Sequence, residues 1–204
     1  MTGSRHTGPL RNFEKPLFGG LLLVAIASFA FNQSVASQQN AVAPAGTDIA
    51  PRGEREVKDI TYGDWKKLCF KPGGAKKLCR TSITGTFATG QLAVRVDIIE
   101  REGDGARRIQ VFSPVGMYLQ NPIKLTIDHG RPYRVPYTWC LTNACIAATV
   151  ANPLLINEMY AGRMLRLEFV NSNLLSLTTS LPLREFAIVH KNAPAQTFEQ
   201  DIDE

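Results

Sequence analysis

Short runs of alternating apolar and polar residues dominate the chain from residue 62 onward. They are rich in β-branched and aromatic side chains, and turn-forming segments such as E-G-D-G-A at 102–106 separate them. This pattern is typical of strands that bury one face and are joined by tight turns, and it predicts about nine strands. They lie at 62–70, 78–87, 92–99, 108–112, 123–127, 145–150, 164–170 and 174–179, while 183–189 fits either a last strand or a short helix.

Residues 153–160 are the best helix candidate in the chain. Asn152 is positioned to cap the first turn, Pro153 suits the first helical position, and Gly162 follows the end. Short strands with frequent turn signals, interrupted by so little helix, indicate an all-β fold. We expect a single antiparallel β-sandwich or small barrel with one or two short helices.

The first 36 residues have the order of a secretory signal peptide. Arginines and a lysine precede an uncharged apolar stretch at 19–31, and Ser34, Val35 and Ala36 satisfy the small-x-small cleavage rule. The apolar stretch would span roughly 20 Å as a helix, which is short of a ~30 Å hydrocarbon core, so cleavage is favoured over a membrane anchor. We expect no transmembrane segment after cleavage, and a location in the periplasm or cell envelope or outside the cell.

The remaining chain divides by composition into three parts. A flexible linker is expected at 37–56, a β domain at 57–191 and an acidic disordered tail at 192–204. The whole chain of 204 residues is 44% hydrophobic and 20% charged, which excludes a disordered or polytopic membrane protein. The domain holds 18 Lys and Arg against 10 Asp and Glu, so it is more basic than the net charge of +5 suggests.

All four cysteines lie in the predicted domain, at Cys69, Cys79, Cys140 and Cys145. An even number in an exported chain indicates disulfides, and three pairings are possible. We favour Cys69–Cys79 and Cys140–Cys145, because each pair closes a short loop between strand-like runs. The C-x9-C and C-x4-C spacings match no ordinary zinc site, so we expect no metal and no cofactor.

Several motifs occur in an order that resembles a known family. Y-G-D-W at 62–65 precedes the first cysteine pair, S-P-V-G-M-Y-L occupies 113–119, I-D-H-G occupies 127–130, and P-Y-x-x-C-x4-C-x-A occupies 136–147. Over about 61–190 the chain resembles the invasion-associated locus B family of exported α-proteobacterial proteins. The resemblance implies an exported, disulfide-bonded β domain and, in pathogenic members, a part in host-cell invasion. It carries no catalytic residue.

Catalytic chemistry has weak support in the sequence. Asp128 and His129 could act as an orienting acid and a base, with Ser113 as a nearby serine, but adjacent turn residues seldom face each other and no G-x-S-x-G elbow is present. We therefore expect no enzymatic activity, with an exported hydrolase that uses Asp128 and His129 as the alternative.

Two clusters are candidates for binding. Six cations are close together in sequence and could share one face of a disulfide-closed hairpin. Such a face would attract anions such as lipopolysaccharide or lipid headgroups. The alternative is a solvated basic face that binds nothing. The six cations are Lys66, Lys67, Lys71, Lys76, Lys77 and Arg80. A second cluster, Arg131, Tyr133 and Arg134, could contact a partner, whereas Tyr137, Trp139 and Trp65 are expected in the core.

These features favour an exported binding or interaction protein of the periplasm or cell envelope. Its partners would be anionic envelope components or another envelope or host protein, and nucleic acid is not expected because the chain is exported. A purely structural envelope component is the second alternative to a binding protein, beside the exported hydrolase.

Overall fold

The computed structural model describes residues 50–200, so the predicted signal peptide at 1–36 lies outside the described residues. Thirteen strands and two helices occupy this range. In chain order they are β1 Gly53–Glu56, β2 Ile60–Tyr62, β3 Lys66–Pro72, β4 Leu78–Phe87, β5 Leu92–Arg101, β6 Arg107–Ser113, β7 Ile123–Ile127, β8 Tyr133–Val135, β9 Tyr137–Cys140, β10 Cys145–Ala151, α1 Pro153–Ala161, β11 Met164–Val170, β12 Leu175–Pro182, α2 Phe186–Lys191 and β13 Gln196–Gln200.

The strands form two open sheets, which confirms the predicted all-β fold and excludes a closed barrel. One sheet has five strands in the order β1-β12-β11-β7-β8. The other has eight, in the order β13-β3-β4-β5-β6-β10-β9, with β2 paired to β4. Alternate residues of strands from both sheets, such as Ile98 and Ile109 of the larger sheet and Leu125 and Leu167 of the smaller, meet in one buried core.

The fold extends beyond the predicted domain at both ends. Part of the expected linker forms β1, which pairs in parallel with β12, and part of the expected tail forms β13, which pairs in parallel with β3. The predicted bounds of the domain, 57–191, were therefore too narrow at both ends, where the two added edge strands pair in parallel. Residues 37–49 and 201–204 lie outside the described range.

The predicted helix is confirmed as α1. The Asn152 side chain accepts a hydrogen bond from the Leu155 amide at 2.8 Å, and Gly162 follows the last helical residue. Gly162 is needed for space, because a Cβ there would collide with the Ile127 side chain. The segment 183–189 forms a turn and then the start of α2, and neither helix is long and apolar enough to cross a membrane.

Both predicted disulfides are present, and the described residues include no free cysteine. Cys69 and Cys79 lie directly opposite each other on β3 and β4, and Cys140 and Cys145 do so on β9 and β10. Each bridge therefore ties together two neighbouring strands of the larger sheet.

Candidate functional site

The six cations of the predicted hairpin do not share one face. Successive side chains of a strand point to opposite sides. Lys67 therefore lies on the inner side of the sheet with Cys69, whereas Lys66 and Arg80 lie on the outer side. Lys76 and Lys77 lie in the connection between β3 and β4.

Three of these cations already have partners within the fold. The Lys67 amine donates hydrogen bonds to the carbonyl oxygens of His190 at 2.7 Å and of Asn192 at 3.3 Å, so it covers the end of α2. Lys71 pairs with Glu199 of β13 at 3.8 Å, and the Arg80 guanidinium lies 5.9 Å from the ring centre of Phe70. Lys66 and Lys76 are exposed and Lys77 is half-buried.

Five cations lie on the outer face of the eight-stranded sheet, defined here as the side opposite the core. Apolar residues and arginines alternate along one row that crosses five neighbouring strands. The row consists of Leu68, Arg80, Ile99, Arg108 and Val150. Arg95 and Arg101 of β5 point to the same face. Arg95, Arg101 and Arg108 could not be predicted as a cluster, because their proximity arises across strands and not along the chain.

One carboxylate is buried among these arginines. Asp97 is 1% exposed, and its Oδ1 lies 3.2 Å from the Arg95 Nε. Burial raises the pKa of Asp97, while the nearby charges of Arg95 and Arg80 oppose that rise. Arg95 also lies 3.6 Å from the ring centre of Phe112, so its guanidinium is held between an acid and an aromatic face.

Trp139 is on this outer face and is 60% exposed, so the prediction that it belongs to the core was wrong. The β9–β10 pairing shifts register between Ile146 and Ala147, which leaves Trp139 beside Ile146 on the outer side and Tyr137 beside Ala147 on the inner side. Tyr137 packs against the core as expected, and burial raises its pKa to about 12. Trp65 is a core residue as predicted, 5% exposed, and its indole N–H donates to the Pro182 carbonyl at 2.8 Å.

The second predicted cluster lies on and before β8. Tyr133 is half-buried, and its hydroxyl donates to Glu158 of α1 at 2.9 Å. The guanidinium of Arg131 lies 5.3 Å from the Tyr133 ring centre, and Arg134 is exposed on β8. Tyr133 thus joins β8 to the helix, while the two arginines extend towards solvent.

The candidate hydrolase residues are held at different ends of the fold. The Asp128 carboxylate accepts hydrogen bonds from the amides of Arg163 and Met164, at the start of β11. Ser113 is fully buried, and the loop that follows it bonds to residues at the other end of β11, through the Tyr118 amide and the Val170 carbonyl. His129 is exposed in the turn after β7.

A buried polar cluster joins the two helices to the larger sheet. The ring of His190 is hydrogen-bonded through Nδ1 to the Tyr160 hydroxyl at 2.8 Å, and its Nε2 lies 3.4 Å from Glu100. Arg107 donates to the same carboxylate at 2.5 Å. Burial lowers the pKa of His190, as do the charges of Lys67, Arg107 and Lys191, whereas Glu100 acts in the opposite direction.

A cleft of about 850 Å³ lies between the end of α1 and the segment before β3. Exposed Asp64, Arg163, Arg184 and Glu185 line it together with tyrosines and Trp65. No group of acidic, histidine or cysteine side chains in the described range could hold a metal ion.

Comparisons with known proteins agree with this architecture. The crystal structure of invasion associated protein b from Bartonella henselae superposes with a TM-score of 0.57 at 22% identity, over 64% of this chain and 90% of that one. No curated protein matches the chain. The family model described as Invasion associated locus B (IalB) protein matches residues 65–194, and the chain belongs to that family.

Proposed function

We propose that this chain is an exported binding protein of the cell envelope that acts by contact and not by catalysis. The two disulfides carry the proposal, because such bridges persist in oxidising compartments such as the periplasm and are rare in the cytosol. The signal-like order of residues 1–36 supports the same location.

The ligand class that fits best is an anionic envelope component, such as lipopolysaccharide or a lipid headgroup. The domain is basic, and exposed Lys66 and Lys76 extend from a hairpin that a disulfide holds compact. The name of the Bartonella relative links that protein to invasion. For this chain, we propose that attachment to an anionic surface is its contribution to contact with a host.

The location can be tested on protein made from the complete gene in a Gram-negative cell. We expect it in the periplasmic extract or the medium, with an N-terminus near Ser37, and we expect peptide mapping without reductant to recover Cys69–Cys79 and Cys140–Cys145. An N-terminus at Met1, or four free thiols in the extracted protein, would contradict export into an oxidising compartment.

A further inference from the structure

Building on the proposed function, we propose that the outer face of the eight-stranded sheet is the surface that docks on a membrane rich in anionic phospholipids, with Trp139 at the lipid–water interface. The predicted hairpin then contributes only one margin of the contact. The outer face is broad, carries several cations and exposes apolar side chains.

The face is broad and lies away from the core. From β13 to β9 the sheet has six steps between neighbouring strands, about 30 Å at ~4.8 Å per step. Both helices and the five-stranded sheet contribute residues to the core on the other side, among them Leu155, Phe186 and Leu167. A surface of this width can contact several lipid headgroups at once.

Along the strands, the charge on this face is almost entirely positive. Its cations are Lys66, Arg80, Arg95, Arg101 and Arg108. Asp97 is the one acid that the described strands direct to this side, and it is buried. Glu199 of β13 points the other way, beside Lys71. The face is therefore complementary to a layer of phosphate groups, to which each Lys or Arg near the surface adds about fivefold in affinity.

Apolar side chains stand among these cations, which distinguishes the face from a merely solvated basic surface. Trp139 is 60% exposed and Val150 is 65% exposed, and they lie on the neighbouring strands β9 and β10. At the opposite edge, Phe198 stacks on Phe70 with 5.3 Å between ring centres and remains 40% exposed. Tryptophan favours the membrane interface, and arginine can place its aliphatic stem in the apolar layer while its guanidinium meets phosphate.

The two tryptophans of the chain provide a direct test. Trp65 is buried and Trp139 is exposed, so a change in fluorescence on binding reports mainly on Trp139. The probe is vesicles of phosphatidylglycerol and phosphatidylcholine, compared with phosphatidylcholine alone, added to oxidised protein isolated from cells. We expect a blue shift and reduced acrylamide quenching with the anionic vesicles only, and we expect both to disappear in Trp139→Phe.

Charge variants separate this face from the hairpin. Arg101→Gln with Arg108→Gln should weaken vesicle binding about 25-fold at low salt, since two surface cations are lost. The matched control, Arg163→Gln with Arg184→Gln, removes two exposed arginines beside the cleft and should change binding less than threefold. Lys76→Gln with Lys77→Gln tests the hairpin itself and should have an intermediate effect.

The outcomes distinguish the two proposals. If the wild-type protein binds neither type of vesicle, this inference fails. The envelope-binding function fails as well only if the protein also does not bind lipopolysaccharide. A second outcome is that the protein binds anionic vesicles without a change in Trp139 fluorescence, and that only the Lys76 and Lys77 variant binds more weakly. In that case the hairpin, and not the outer face, is the docking surface. Loss of binding in the Arg163 and Arg184 control would also overturn the inference, because net charge alone would then explain the attraction.

Discussion

His190 of α2 lies in an environment that is unusual for a histidine. It is 3% exposed, and its neighbours belong to five different elements. They are Lys67 of β3, Glu100 of β5, Arg107 of β6, Tyr160 of α1 and Lys191 of α2. Protonation would place another positive charge among three cations, with Glu100 as the compensating anion, so the neutral ring is favoured.

Stability should therefore decrease as the pH falls. The pKa of His190 is lower in the folded protein than its ordinary value of 6.5, so the unfolded chain binds more protons below that pH. The contribution is complete above the unfolded pKa and is lost as the pH falls towards the folded pKa. Urea unfolding between about pH 7.5 and 5 should give a smaller loss of unfolding free energy in His190→Gln than in wild type. Equal losses would show that His190 does not contribute, since Asp97 and the other acids are common to both proteins.

Residue burial was predictable where strand alternation held. Trp65, Ile83 and Val96 follow the alternating pattern and are buried as that pattern requires. Trp139 was misplaced because the register shift in β9–β10 puts an extra residue, Thr138, between two side chains that the pattern assigns to one face. Such a bulge depends on the neighbouring strand, which a pattern along one segment does not contain.

At the scale of elements, the edge strands β1 and β13 could not be predicted from the sequence. β1 (GERE) and β13 (QTFEQ) have little apolar alternation, so each has the composition of a linker or tail. Their pairing is with β12 and β3, far away in sequence. The central strands and α1 carried local signals, in their periodicity and in the cap formed by Asn152, and these were correctly predicted.

β13 should stabilise the domain through its pairing with β3. A chain that ends at Ala193 loses the whole strand, including the stack of Phe198 on Phe70, and should lose about 1–2 kcal/mol of unfolding free energy. A chain that ends at Gln200 is the matched control, because it removes Asp201, Asp203 and Glu204 but keeps the strand. Urea unfolding should leave this control within about 0.5 kcal/mol of the full chain.

The same pair of chains tests whether the acidic end competes for the cationic surface. Binding of anionic vesicles should increase on removal of residues 201–204, because their negative charge no longer competes for the cations. Truncation to Ala193 also removes Phe198 of the outer face and should not increase binding further. Unchanged vesicle binding in both chains would exclude competition by the acidic end. For the stability prediction, equal unfolding free energies of the two chains would show that β13 adds nothing to the fold.

At the scale of the whole molecule, the two disulfides connect the fold to its compartment. They close loops of 10 and 5 residues in sequence separation, within two different hairpins of the larger sheet. A chain-entropy estimate gives about 2–3 kcal/mol for each bridge. Together they would supply a large share of the roughly 5–15 kcal/mol that stabilises a typical domain.

We therefore expect the reduced protein to be marginal or unfolded at 37 °C, whereas the oxidised protein remains folded. The bridges can be separated, because Cys140→Ser with Cys145→Ser removes one and leaves Cys69–Cys79 in place. This variant should lose about 2 kcal/mol, and reductant should then remove about 2–3 kcal/mol more through Cys69–Cys79. If the hairpins are independent, the two losses should add up to the effect of reductant on wild type. Urea unfolding of wild type and variant, each oxidised and reduced, tests this sum. If full reduction of the wild type lowers the unfolding free energy by less than about 0.5 kcal/mol, the core alone maintains the fold. The disulfides would then say little about the compartment in which the protein works.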